Sequence, residues 1–401
     1  MSKIMVLGVG AQGTATIMHL AKDPTVSELR LADINLERTK QTAKKIASDK
    51  ISIQRVNAFK PDELLKAAKG VDVVVNIVAA SKVINGKHMS PTLNVMDAAF
   101  KNGAHYIDVA TAFRNEEEQM LKLSDKWRDA GLTAIFDLGK TPGITNVLAR
   151  YAANRLDKVD KICIKTSLDV ISKEFLLMWW PRYAVMGWME PGLVYEDGKF
   201  RKVPPLSGEE IYEFPGDPLG PCPTYFSDHE EVWTLPRFIK GVRYVEFKHG
   251  SHRAPILKTL AQLFESDEPI KVKDVEVAPI DVLLAVIPPP AELPEKIEAG
   301  EVEDAYSCCV VDVEGEKAGV KTHYTLSCPI DLRQTKERLP GGTPESILVG
   351  TPPAVGATML AKGEIKVKGV IPPECLNPDP FLANLAKKGV IVHEEVKRYL
   401  H

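Results

Sequence analysis

An α/β fold, built on a doubly wound parallel sheet that carries an inserted mixed α/β domain, is predicted by three features of the 401-residue sequence. Strand-like and helix-like patterns alternate over residues 1–148, a glycine-rich turn follows the first strand directly, and the texture loosens after residue 148 before tightening again near 350. The length exceeds what one ordinary core accommodates. The expected divisions are therefore 1–148, 149–349 and 350–401, the last returning to the first domain. The parallel strands are expected at Ile4 to Gly8, Leu29 to Asp33, Ile51 to Val56, Val71 to Asn76, His105 to Asp108 and Thr133 to Phe136. Between them, Leu36 to Ser48 and Pro91 to Asn102 space apolar residues three and four apart, as crossover helices do.

In the middle region, Lys161 to Val170, Arg243 to His249, Ser307 to Val313 and Lys321 to Cys328 read as longer strands of an antiparallel or mixed sheet. Pro288, Pro289, Pro290 and Pro294 mark a rigid connector. Near the end, a helix is expected from about Pro353 to Lys362, a loop at Gly369 to Glu374, a helix near Pro380 to Lys388 and a strand at Val390 to His393. With the tail back on the first domain, the reactive site is expected in a cleft between the two.

Composition excludes several function classes. Hydrophobic residues make up 44 % and charged residues 26 %, with a formal charge of −3, so neither long disorder nor a basic nucleic-acid or membrane-surface footprint is expected. A small molecule is the expected partner. The six cysteines show no CxxC spacing, so no metal site or disulfide framework is expected. No apolar run reaches membrane-span length and no signal-type leader is visible, which points to a cytoplasmic protein.

The opening strand runs into Gly8-Val9-Gly10-Ala11-Gln12-Gly13 and then a helix, the Rossmann context that gives GxGxxG its meaning. Gly8 makes the tight turn, Gly10 lets backbone approach a pyrophosphate, and Gly13 lets helix pack on strand, while the amides around Ala11 and Gln12 offer the helix N-terminus to the anion. Asp33 ends the next strand, where a carboxylate accepts from adenosine ribose hydroxyls and repels a 2′-phosphate. NAD is therefore expected, with NADP admitted because Arg38 lies one turn further on. Asn76, Val78 and Ala79 end the fourth strand at the carboxyl edge, where ligands bind in such sheets.

Three further segments narrow the reading: Tyr106-Ile107-Asp108-Val109-Ala110-Thr111, Asp137-Leu138-Gly139-Lys140-Thr141-Pro142-Gly143-Ile144-Thr145-Asn146, and Gly369-Val370-Ile371-Pro372-Pro373-Glu374. With the glycine motif they resemble the saccharopine dehydrogenase family, particularly its lysine 6-dehydrogenase-like and carboxynorspermidine dehydrogenase-like branches. Asp228-His229-Glu230-Glu231 followed by Thr234-Leu235-Pro236-Arg237 is similar to a segment of those relatives. The resemblance implies a second domain for substrate and dimerisation, hence a homodimer. It also implies NAD-dependent oxidation or reductive formation of a C–N bond in an amino acid or polyamine precursor, with Thr111, Gly139, Pro142 and Gly143 near the cofactor and Asn146 as a capping-type residue.

Removing hydride from a carbon that bears nitrogen requires the amine lone pair, so a group must hold and return the ammonium proton. Asp108, His229 and Glu230 are the candidates, ahead of His249 and His323. A substrate carboxylate calls for a paired-donor cation, for which Arg237 and Arg243 are taken, with Arg253 beside them. The tryptophans Trp179, Trp180 and Trp188 are expected to wall a pocket or fill an interface. The resulting expectation is an amino acid dehydrogenase with a lysine-like diamino acid as substrate. The alternatives are a retained-cofactor synthase or cyclodeaminase, and a catalytically silent NAD-binding protein.

Overall fold

The computed structural model describes residues 1–84 and 87–399. Its chain divides into two units, Met1–Tyr151 with Ser346–Val390, and Ala152–Glu345 with the segment from Ile391 onward.

In the first unit, β1 (Ser2–Leu7), α1 (Ala11–Lys22), β2 (Val26–Asp33), α2 (Leu36–Ile46), β3 (Ile51–Arg55), α3 (Pro61–Ala67) and β4 (Val73–Asn76) follow one another as the alternation predicts. The seven-stranded sheet runs Gly369–Ile371, Thr133–Ile135, His105–Asp108, β4, β1, β2, β3. Every pairing in it is parallel. β1 thus sits where the strand order reverses, and the crevice at its carboxyl end is the ligand position of doubly wound folds. Ile4, Val6, Leu29, Leu31, Val73 and Val75 are completely buried, because helices cover both faces of a parallel sheet.

Two elements differ from expectation here. Gly369 to Glu374 is not simply a loop: Gly369–Ile371 is a strand lying parallel beside Thr133–Ile135. Its partner is more than two hundred residues away, so three residues between Gly and Pro carried no local period. The helix expected from Pro353 begins at Pro344 and runs to Ala361, with Pro352 and Pro353 inside it. Burial of nearly all its residues outweighs the backbone hydrogen bonds the prolines forfeit. Gly350 sits close against α1, where an added Cβ would meet Gln12 O at 2.6 Å, and Thr16 Oγ1 donates to Gly350 O at 2.8 Å.

The second unit is built on a ten-stranded mixed sheet. Its axis is the antiparallel pair Lys158–Ser172 and Val302–Lys317, and Tyr244–Gly250 lies parallel to Lys158–Ser172 on the other side. Helices Pro181–Met186, Ala254–Phe264 and Pro279–Val286 pack into a separate apolar cluster around Val185, Ala261 and Ile280. The Pro-rich connector forms a short 3₁₀ turn, Pro290–Glu292, and the helix Leu293–Glu298. The expected return of 350–401 to the first domain holds through Val390 and is corrected from Ile391 onward, which joins this second unit. Its last strand is His393–Tyr399 and pairs antiparallel with Val320–Ser327 in this sheet. Its polar sequence has no apolar period by which it could be assigned from sequence.

Candidate functional site

The turn after β1 is shaped for an anion. Gly8 has φ +100°, and a Cβ there would strike Ile77 O at 2.6 Å; a Cβ at Gly13 would lie 1.9 Å from Gly8 O. These two glycines are forced by close packing. Gly10 differs, because a Cβ built on it meets nothing within 4 Å. Gly10 is also the N-cap of α1 and supplies no side chain to cap it. Open space before a helix N-terminus is the cradle a pyrophosphate requires, so the segment Gly8 to Gly13, including Ala11 and Gln12, fits a dinucleotide.

Asp33 is 6 % exposed at the end of β2. Its Oδ2 accepts from Val9 N at 2.7 Å and its Oδ1 from Asn35 N at 2.8 Å, which fixes the carboxylate beside the glycine turn. Arg38 Nη2 reaches both oxygens, at 3.2 and 3.1 Å. A cation set on the ribose-reading acid weakens its repulsion of a 2′-phosphate and can itself face one, so the pair suits either nicotinamide dinucleotide.

At the carboxyl edge, Asn76 is buried and its Nδ2 donates to Tyr106 Oη at 3.0 Å and Thr111 Oγ1 at 3.1 Å, while its Oδ1 accepts from Val78 N at 3.2 Å. Asn76 and Thr111 thereby hold the edge from beneath. Val78 is half-buried and Ala79 exposed on its rim. Asp108 is completely buried, and its Oδ1 takes the amides of Ala110 at 3.2 Å and Asp137 at 3.0 Å. Burial raises its carboxyl to about 6 against the lowering effect of these hydrogen bonds. Its contacts are those of a brace for two loops.

The segment from Gly139 folds on itself: Gly139 N donates to Pro142 O at 2.9 Å, and Gly143 has φ +132° with Gly139 O only 2.1 Å from where a Cβ would sit. Asn146 lies inside the helix Ile144–Ala153 and reaches back, its Oδ1 accepting from Gly143 N at 2.9 Å. Its Nδ2 donates to Glu374 Oε2 at 2.9 Å, and Arg150 Nε to Glu374 O at 2.7 Å. Two segments singled out in the sequence are therefore one structure.

In the second unit, His229 is the N-cap of the helix Glu230–Phe238, with Nδ1 against Glu231 and 3.2 Å from Glu230 Oε2. Its ring stacks on Phe247 at 3.8 Å between centroids, and Glu231 is completely buried. Burial alone would lower the imidazole, but the carboxylates of Glu231, Glu230 and Asp228 outweigh it and raise it to about 9. His229 is thus an imidazolium at neutral pH, suited to donate a proton and unsuited to abstract one. One donor atom from each of His229, Glu230 and Glu231 lies within 4.8 Å of the others. That spacing would also admit a cation in place of the proton.

The same unit holds a recess walled, as one of the two sequence expectations had it, by Trp179 and Trp188, with His249 and Arg253; sequence reasoning missed Asp169 and Ser251 in its lining, which encloses about 370 Å³ of empty space including its open mouth. Trp188 and Trp179 lie 5.1 and 6.3 Å from His249, centroid to centroid. Asp169 is 4 % exposed, held by Ser251 Oγ at 3.0 Å and His252 N at 3.1 Å, and burial raises its carboxyl above the usual range. A desolvated carboxylate beside indole faces suits an amine or guanidinium. The sequence signal was a lone acid in the apolar strand Leu168-Asp169-Val170, legible only once its neighbours are known.

Of the expected cations, Arg237 stacks over Trp233 at 4.1 Å. Arg243 does not line that recess: it precedes the strand Tyr244–Gly250, is largely exposed and is paired with Asp197 at 2.9 Å. Arg253 donates to the carbonyls of Leu176 and Val170 and so braces the recess. His323 pairs with Asp312 at 2.9 Å on the sheet. Among the described residues no helix is long and apolar enough to cross a membrane.

Comparison with known proteins gives the family. Residues 4–135 match the saccharopine dehydrogenase NADP binding domain, and residues 139–390 match the saccharopine dehydrogenase C-terminal domain. The chain is 26 % identical to carboxyaminopropylagmatine dehydrogenase of Synechocystis sp., covering 99 % of this chain and 98 % of the relative. It is 27 % identical to carboxynorspermidine synthase of Vibrio alginolyticus over 97 % and 96 %. Among solved structures, saccharopine dehydrogenase (L-Glu forming) of Saccharomyces cerevisiae superposes with a TM-score of 0.70 at 16 % identity, covering 99 % of this chain and 100 % of the other. Homospermidine synthase of Legionella pneumophila in complex with NAD superposes with a TM-score of 0.67 at 14 % identity, covering 99 % and 92 %. With both of its domains matched, and with a turn and an acid–arginine pair fitted to NAD(P), the chain belongs to the saccharopine dehydrogenase family.

Proposed function

We propose that the protein is an NAD(P)-dependent oxidoreductase that forms or cleaves the C–N bond of a carboxylated polyamine or guanidino-amine, working as a homodimer. The observation that carries this reading is the match, over nearly the whole length of both partners, to two relatives named for carboxyaminopropylagmatine and carboxynorspermidine. A lysine-like diamino acid, the expectation from sequence, shares the C–N chemistry but has less support. The recess of Asp169, Trp179 and Trp188 favours a cationic tail.

In this reading the bound dinucleotide supplies or accepts the hydride. Gly8, Gly10, Ala11, Gln12 and Gly13 hold its pyrophosphate and Asp33 with Arg38 its adenosine ribose. Asn76, Val78, Ala79, Thr111, Gly139, Pro142 and Gly143 line the remainder of its path. His229 donates a proton to the imine nitrogen before reduction, and Glu230 with Glu231 keeps the imidazole charged. In the reverse direction the imidazole can take that proton only in its neutral form, which is populated as pH passes about 9. Asp108 acts as a positioning residue under the nicotinamide end, and Arg237 takes the substrate carboxylate.

The test is absorbance at the reduced-nicotinamide band, with each cofactor, on carboxyaminopropylagmatine, carboxynorspermidine and lysine. Stoichiometric turnover on either carboxylated amine supports the reading. Turnover on lysine alone returns the diamino acid, and product without accumulated reduced cofactor returns a retained-cofactor synthase. Binding without turnover on any amine leaves a silent NAD(P)-binding protein.

A further inference from the structure

The final strand, His393–Tyr399, forms one edge of the ten-stranded sheet. It pairs on one side with Val320–Ser327, in a register that sets Thr325 against Glu395, Tyr324 against Val396 and His323 against Lys397. No strand among the described residues occupies its other side, and all seven of its residues are exposed. An ordered strand with an open row of N–H and C=O groups is a template for another strand, and natural sheets usually guard such edges.

The sequence of this edge is His-Glu-Glu-Val-Lys-Arg-Tyr, acids before the central valine and bases after it. We propose that it pairs antiparallel with the same strand of a second copy, about a two-fold axis at Val396, joining the two sheets into one. In that register Glu394 faces Arg398 of the second copy and Glu395 faces its Lys397, each pairing occurring twice by symmetry. Val396 meets itself, and His393 lies opposite Tyr399. All four charged contacts are between opposite signs.

Neighbouring symmetric registers are poor. An axis at residue 395 sets Glu395 against itself, an axis at 397 sets Lys397 against itself, and both abandon the acid–base pairs. Like charges placed directly opposite destabilise a strand pair, so the charge pattern selects one register. Within one chain Lys397 Nζ already lies 3.2 Å from Glu395 Oε1. The axis would therefore gather two acids and two bases into an alternating square on one face of the sheet. A two-fold contact requires this self-complementarity, each residue meeting what its partner meets. The inference does not depend on which amine the protein acts on.

The experiment is sedimentation equilibrium of the full chain over a range of concentrations, with two charge-reversed variants, Lys397→Glu/Arg398→Glu and Glu394→Lys/Glu395→Lys. Wild type is expected to dimerise. Each variant alone is expected to dimerise at least tenfold more weakly, because all four contacts become like-charged. An equimolar mixture of the two is expected to recover a one-to-one heterodimer, read by energy transfer between differently labelled variants. A monomeric wild type, variants that dimerise as wild type does, or a mixture that stays monomeric overturns the proposal. Should a variant fail to fold, hydrogen exchange on wild type decides. Concentration-dependent protection of alternate amides between 393 and 399 supports the pairing, and protection independent of concentration overturns it.

Discussion

Asn146 ties together two segments 228 residues apart, donating through Nδ2 to Glu374 Oε2 at 2.9 Å while its Oδ1 takes the amide of Gly143 at 2.9 Å. Both side chains are buried, Asn146 at 1 % and Glu374 at 0 % exposure. Asn146→Ala withdraws one donor from a buried carboxylate and one acceptor from the amide of Gly143. A loss of about 1–3 kcal/mol is expected, measured by urea unfolding. Glu374→Gln, which keeps an oxygen for the Asn146 amide, is expected to lose less.

Gly10 and Gly13 separate binding from folding. Gly10→Ala adds a Cβ into open space, so the melting temperature is expected to hold while the dissociation constant for NAD(P) rises at least tenfold, measured by calorimetry. Gly13→Ala places a Cβ 1.9 Å from Gly8 O, and here the melting temperature itself is expected to fall.

In the proposed reading Asp33 and Arg38 set the choice of dinucleotide between them. Arg38→Ala leaves the acid without its cation at 3.1 Å, which strengthens repulsion of a 2′-phosphate. Its kcat/KM with NADP is expected to fall about tenfold relative to NAD, a difference of roughly 1.4 kcal/mol. Asp33→Asn is expected to shift the ratio toward NADP. Steady-state kinetics with both cofactors measures each variant.

His229 titrates at about 9, raised above its ordinary 6.5 because the carboxylates around it outweigh burial. A histidine whose folded value is raised stabilises the protein fully below its unfolded value, and this contribution fades as pH rises through the folded one. Stability is therefore expected to decline as pH rises from about 6.5 to about 9, and imine reduction as pH passes about 9. His229→Gln is expected to remove that limb from the pH–rate profile of kcat/KM.

Asp169→Asn keeps the shape of the recess and its contact with Ser251 but removes the charge. If the recess takes the cationic tail of the substrate, KM is expected to rise at least tenfold with kcat changed less. Equal loss in both would place Asp169 in the reaction itself.

The first unit was legible because its signals are local. A strand, three glycines and an acid at fixed intervals carry the expectation of a phosphate turn and a ribose contact, and β1, α1 and β2 follow within three residues of the apolar pattern. The strand Gly369–Ile371 and the early start of the helix Pro344–Ala361 were not legible, since each is stabilised by distant partners against its own local preference. The same distinction runs through the site. His229 stood out in its acidic run, yet its charge state follows from Phe247 and Glu231 enclosing it.

What the sequence determined by itself is the Rossmann turn, a nicotinamide cofactor and the family, because these rest on residue types at fixed short spacings. Tertiary structure decided the pairing of Asn146 with Glu374, the gathering of Asp169 with Trp179 and Trp188, and the docking of the last strand on Val320–Ser327. Those contacts join residues far apart along the chain, and burial, which sets their charge and hydrogen bonding, exists only once the chain has closed on itself.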